Sequence, residues 1–298
     1  TDCDGDGLEE IVLETPAETV FLKPDDGGSL YEWDFKAKPF NLCNVLARRE
    51  EPYHDLLRHG LARADQENTG NLSIHEMVRA KSADLDKYLI YDPWRRSSLR
   101  DRFFELNPDP ETFRRCQERE LGDFVAGVYS IHLSDNKCVM TRNGQVQSPG
   151  GCITEVRIQK QIMPLENGIQ VSYEIACPQG WPESLCFGVE TAFNFLTGSA
   201  PDRYYLSENA SLERPMLGQC GVFDNLGHIA LRDEWMRLEC GLRLNRPARV
   251  IHFPIDTVSQ SEDGQERVHQ GCVVLPCWEL SRGDCAFALE MTLYCNML

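Results

Sequence analysis

The sequence predicts a mainly β protein, an antiparallel two-sheet sandwich with a helical excursion in its N-terminal third. Three observations carry this. From Leu121 onward, apolar or alternating segments follow one another almost without room for helices, at 124–133, 137–141, 153–163, 169–177, 184–195, 227–235, 236–244, 250–257, 267–278 and 285–294. Turn formers separate them: Asn167-Gly168 reads as a tight hairpin and Asp263-Gly264 as another, because glycine enters positive φ without a Cβ clash. Strands this numerous and this closely spaced pack into a sandwich or a barrel.

The elements before Leu121 divide into two kinds. Residues 11–13, 19–22 and 29–35 read as strands, with turns at Thr15-Pro16-Ala17 and Asp25-Asp26-Gly27-Gly28. In the third of them Tyr31, Trp33 and Phe35 alternate with Glu32 and Asp34, as a half-buried antiparallel strand requires. Over about 37–105 the pattern changes. Leu42, Val45 and Leu46 stand at helical spacing, and Ser73 with Glu76 three residues on forms a capping box. Residues 201–215 read as a loop. No internal repeat or Pro/Ser linker interrupts the chain, so residues 1–298 are expected to form one domain with a partly helical insertion.

Composition narrows the function. A hydrophobic content of 42% supplies a core, and no apolar run is long enough to span a membrane. The net charge of −17 disfavours nucleic acid and anionic membranes and suits neutral ligands such as sugars. The 13 cysteines include no CxxC pair, so they read as reduced, mostly buried residues of a cytoplasmic protein rather than as zinc ligands. The chain begins at Thr1 with no basic-then-apolar leader, as expected of a module cut from a longer protein or of a processed one.

Two stretches concentrate chemistry. At the N-terminus, Asp2, Asp4, Asp6, the Leu8 carbonyl and Glu10 alternate around Gly7, and hard cations such as Ca²⁺ take oxygens at such spacing. The position of an EF-hand's bidentate Glu falls on Leu13, so the loop is of another type, and an acidic turn that binds nothing gives the same residues. No other cofactor is called for. At 249–280, two apolar runs flank a hairpin bearing His252, Asp256, Glu262, Glu266, His269 and Gln270. Residues 48–54, Arg-Arg-Glu-Glu-Pro-Tyr-His, add Arg48, Arg49, Glu51 and His54. Arginine forks bind carboxylates bidentately, so Asp256, Glu262 and Glu266 are natural partners for Arg48 and Arg49. The two segments are therefore expected to converge on one polar surface. A solvated hairpin and local ion pairs are the plainer alternative.

Four ordered motifs, RREEPYH, SIHE, DPWRRSSLRD and FPIDTVSQSEDGQERVHQG, together resemble the C-terminal β-sandwich domain of family-57 glycoside hydrolases, the α-amylase and 4-α-glucanotransferase group. The resemblance implies a galactose-mutarotase-like supersandwich. It implies a non-catalytic domain that packs on an N-terminal catalytic barrel and helps shape a carbohydrate cleft for α-glucan. The nucleophile and acid of that family sit on the barrel, and this chain has no alternating βα pattern to host them, so no catalytic residue is assigned here. Arg48, Arg49, Glu51, His54, His252, Asp256, Glu262 and Glu266 become candidate carbohydrate or domain-interface residues. Association into a homodimer stays open. A stand-alone aldose epimerase is the alternative on the same fold, with His252 and Glu190 or Glu266 as acid and base and Trp33, Trp181, Trp235 or Trp278 as a stacking platform.

Overall fold

A computed structural model describes residues 2–3, 5–55, 57–58, 84–134, 137–261 and 264–298. Strands β1 (Ile11–Glu14), β2 (Glu18–Lys23), β3 (Ser29–Phe35) and β4 (Phe40–Asn41) pair in that order into a small antiparallel sheet. The rest of the chain builds one continuous 11-stranded sheet from β5 (Arg100–Phe104), β6 (Ser130–Ser134), β7 (Lys137–Gln147), β8 (Ile153–Pro164), β9 (Ile169–Ala176), β10 (Leu185–Phe193), β11 (Arg203–Leu206), β12 (Gly221–Asp233), β13 (Leu238–Ser261), β14 (Gly264–Leu280) and β15 (Ala286–Met297). Its order is β5-β10-β14-β13-β15-β9-β8-β7-β6, with β12 and β11 branching from β13. A short helix, α1 (Pro110–Arg114), packs on β13.

The sheet folds into two layers because β13 changes partners part-way along its 24 residues. Its first part pairs with β15 as far as Leu244↔Met291, and its second pairs with β14 from Arg249↔Cys277 onward. Pro247 lies in the gap between the two ladders, where it takes no amide from either one. The expected strands 236–244 and 250–257 are thus one strand. Asn245 and Pro247 between them read as a break, and they mark the change of layer instead.

The main core fills the space between the layers with Trp33, Phe103, Phe124, Trp181, Phe187 and Leu242 among its members. A second apolar cluster lies on the far side of β13 and β14, beneath Val45 and Phe113 of α1. Side chains alternate across a strand, so Val250, Cys272 and Val274 join the main core while Ile251, Phe253, Val273 and Leu275 join the second. Burial on both faces is why these stretches read as unbroken apolar runs rather than alternating ones.

Around that frame several expectations shift. Residues 42–50 are irregular, not helical: the Asn41 side-chain oxygen accepts from the Cys43 and Asn44 amides at 3.1 and 2.9 Å and turns the chain out of β4. Within 37–105 the described residues are helical at 54–55 and 57–58 and again in a 3-10 turn, Leu85–Tyr88, which strand β5 follows. The Ser73–Glu76 capping box lies outside the described residues. The strand expected at 124–133 is confined to β6, and the expected loop at 201–215 contains β11. All 13 cysteines carry free thiols, eight of them buried. Among the described residues no helix is long and apolar enough to cross a membrane.

Candidate functional site

The segment after β4 runs across the β13–β14 hairpin close to its turn end and is bonded to it. The Tyr53 hydroxyl donates to the Val258 carbonyl at 3.1 Å, and the Gln265 side-chain amide donates to the Tyr53 carbonyl at 2.9 Å. The His54 ring closes the joint. Its Nε2 faces the same Val258 carbonyl at 3.3 Å and its Nδ1 faces the Glu51 amide at 3.1 Å, so its partners fix the proton on Nε2. Between segment and hairpin lies a cleft of about 520 Å³. Arg48, Arg49, Glu51, Tyr53 and His54 line one side, and residues 257–259 with Gln270 line the other. Arg49 and Glu51 are exposed at its mouth, and among the described residues no carboxylate pairs with Arg49.

Beneath the cleft runs a chain of buried charges. Asp92 accepts from the Arg48 amide and from Arg48 Nη2, both at 2.7 Å, and from Arg96 Nε at 2.7 Å. Arg96 Nη1 reaches Glu190 at 2.7 Å, and the other Glu190 oxygen accepts from Arg102. Arg102 in turn binds Glu120 at 2.6 Å and Glu118. Isolated charges of this kind are costly to bury, and here every one of them has an opposite neighbour. Burial pushes the Asp92 carboxyl up, but Arg96 and Arg48 outweigh it and hold it at about 2. Burial raises the Cys116 thiol, which touches Arg96 at 2.7 Å, to about 11.

The pairing differs from the expected one. Arg48 takes Asp92 as its carboxylate, not Asp256. Asp256 is buried and binds Arg267 at 2.7 Å and His269 at 3.2 Å. Register explains this, because Asp256 stands directly opposite His269 and Arg267 is two residues along the same face of β14. Burial raises the Asp256 carboxyl, and the hydrogen bonds from His269 and Arg267 reverse that and lower it. Glu266 stands opposite Ser259, part-exposed on the hairpin, and Glu262 lies outside the described residues.

His252 is elsewhere. It is buried on β13, stacked on Phe223 at 4.3 Å, with Nδ1 at 3.1 Å from the Gln219 carbonyl. Burial drops its pKa to about 4 and keeps it neutral. Glu190 is fully buried with both oxygens taken by arginines, so an acid–base pair of His252 with Glu190 has no free carboxylate to work with. Of the tryptophans offered for stacking, Trp33, Trp181 and Trp278 are core residues, and only Trp235 is exposed.

At the N-terminus, carboxylate oxygens of Asp2, Asp6 and Glu10 come within 4.8 Å of one another. Lys23 already stands among them, 2.6 Å from Asp6 and 3.5 Å from Glu10. The Asp2 carboxylate accepts from the Gly5 and Gly7 amides at 2.8 and 3.1 Å. Leu8 is exposed, with its amide bonded to Asp6, and Asp4 lies outside the described residues.

A family model for the C-terminal region of α-amylase/4-α-glucanotransferase matches residues 2–291. The chain belongs to that family. As an α-amylase/4-α-glucanotransferase C-terminal domain it is 34% identical over 281 residues to α-amylase 1 of Dictyoglomus thermophilum, covering 92% of this chain and 38% of the relative. It is 29% identical to the 4-α-glucanotransferase of Thermococcus kodakarensis over 91% of this chain and 37% of the relative. The domain thus spans a little over a third of the length of the curated relatives it matches. The crystal structure of the Thermococcus litoralis 4-α-glucanotransferase superposes on all of this chain and 38% of its own with a TM-score of 0.76 at 24% identity. A galactose mutarotase-like protein from Lactobacillus casei superposes on 97% of this chain with a TM-score of 0.57 at 12% identity, which shows the shared supersandwich fold.

Proposed function

We propose that this domain docks on the catalytic barrel of an α-glucan-acting enzyme and that the cleft between residues 44–54 and the β13–β14 hairpin forms part of the carbohydrate-facing surface. The observation that carries the reading is the contrast within the cleft. Its floor is locked by the Arg48–Asp92–Arg96–Glu190 chain, while Arg49 and Glu51 stand exposed at its mouth. Rigid scaffolding beneath unpaired polar groups is what a binding surface needs, since preorganised groups lose little entropy on contact. The chain matches only a C-terminal third of its relatives, which supports a role beside a catalytic barrel. The relatives are named both as α-amylases and as 4-α-glucanotransferases, so hydrolysis and transfer are equally served by the reading. The free thiols support a reducing, cytoplasmic setting, and the acidic loop adds a weak Ca²⁺ site in which the ion competes with Lys23.

The test is Arg49→Ala and Tyr53→Ala in the parent enzyme, assayed on maltooligosaccharides. A KM raised severalfold with kcat kept is the expected result, because these groups bind and do not react. A kcat lost at constant KM, or no change in either constant, would refute the assignment.

A further inference from the structure

Trp235 is 75% exposed, the most exposed large apolar side chain of the described residues. It stands in the turn between β12 and β13, and that turn is held from several sides. The Met236 amide donates to the Asp233 carboxylate at 2.7 Å, the Glu234 amide to the Asp202 carbonyl at 3.0 Å, and the Leu298 amide to the Arg237 carbonyl at 2.9 Å. The Lys38 ammonium caps the Met236 carbonyl. The Arg203 guanidinium lies 5.6 Å from the indole centroid, clamped by Asp202 and Asp233 at 2.9 Å each. One side of the ring is therefore backed by a fixed cation, and the rest meets solvent.

An indole kept in water on a fixed turn leaves a flat apolar face uncovered, with a polar edge beside it, a geometry suited to ligands that are apolar on one face and polar at the rim. The surroundings say what kind of contact. Asp202 is part-exposed where it holds Arg203, and Glu234, next to Trp235 in the turn, accepts from the Tyr204 hydroxyl at 2.8 Å and stands 3.8 Å from Arg214. A flat aromatic face collared by Arg203 and the carboxylates that hold it matches a pyranose, which offers C–H bonds from its face and hydroxyls from its rim. We propose that Trp235 and this collar bind α-glucan at a second site on the domain. The site takes its ligand class from the reading of the cleft but shares no residue with it. The turn precedes β13 and the cleft lies near its other end, some twenty residues away along a strand that rises about 3.3 Å per residue.

The experiment uses tryptophan fluorescence of this chain with iodide as quencher and maltoheptaose as probe. Among the 5 tryptophans only Trp235 is fully open to iodide, so quenching reads that ring. Maltoheptaose is expected to protect it, and retardation in native gels containing amylopectin is expected to weaken about tenfold in Trp235→Ala and less in Trp235→Phe. Arg49→Ala should keep both signals, which separates this site from the cleft. Unchanged quenching with maltoheptaose, or wild-type retardation of Trp235→Ala, would overturn the proposal. Protection that follows protein concentration without glucan would assign the ring to a contact between copies and overturn it equally.

Discussion

Asp92→Asn is the sharpest test of the charge chain under the cleft. The substitution keeps shape and removes the charge shared by Arg48 and Arg96. The Asp92 side chain is fully buried, so solvent screening needs no discount. Its carboxyl falls from the usual 3.8 to about 2. At about 1.4 kcal/mol for each tenfold change in proton affinity, that is about 2.5 kcal/mol of stability at neutral pH. The new amide also turns a donor toward guanidinium donors, bringing the loss to about 3 kcal/mol and the fall in Tm to about 5 °C. The sign with pH follows from the depressed carboxyl. Wild type holds the full contribution above the unfolded-state value and loses it as pH falls toward 2, so the variant's deficit is flat from about pH 8 to 5 and narrows below about pH 4. Urea titrations of both proteins at pH 7, 5 and 3.5 measure this. A deficit under about 1 kcal/mol at pH 7, or one that widens on acidification, would show that Arg48 and Arg96 do not depend on this carboxylate.

Three further outcomes are expected. Arg102→Met strips the cation shared by Glu118, Glu120 and Glu190 and costs about 3–5 kcal/mol at pH 7; the orphaned acids rise, so denaturation at pH 5 should show a smaller deficit, and a pH-independent one would contradict the assignment. His252→Phe removes a ring whose pKa is about 4 when folded. Wild type loses about 3 kcal/mol as pH falls from 6.5 to 4, because only the unfolded chain takes the proton; the variant's stability should lie flatter over that window, and an unchanged slope would argue against burial as the cause. Calorimetry should find Ca²⁺ at the N-terminal loop with a Kd of about 10⁻⁴–10⁻³ M, tightened in Lys23→Met, which removes the competing ammonium; no heat from either protein at millimolar Ca²⁺ would dismiss the site.

The strands were legible where one face is buried and the side chains alternate, as in β8, where Val156, Ile158 and Ile162 face inward and Glu155 and Arg157 outward. They were legible also in β13 and β14, where burial on both faces leaves unbroken apolar runs. What local sequence could not convey is partnership across distance. Arg48 meets Asp92 from 44 residues away, and Arg96 meets Glu190 from 94. Lys160 sits in an inward position of β8, fully buried, because Asp101 accepts from it at 3.1 Å. None of these carboxylates is marked by any periodicity. Asp92 and Arg96 did carry a local signal, acid and arginine four residues apart, but the pattern points to an exposed helix pair and the segment is not a helix. The segment 48–54 and the hairpin could be singled out from their motifs, and their meeting depends on Tyr53 and Gln265, which no charge pattern singles out.

The partner change in β13 bears on how the chain comes to be folded. Both of its flanking turns are short, so β12, β13 and β14 can zip as a meander from contacts near in sequence. The joins of β5 to β10 and of β13 to β15 must wait for closure of far longer loops. A strand that belongs to both layers then serves as the seed on which each is laid down, and neither layer can open without loosening it. Native-state hydrogen exchange should therefore find its slowest amides in β13 on either side of Pro247, leaving only through global unfolding. Faster exchange in one half than in the other would mean that the two layers melt as separate units.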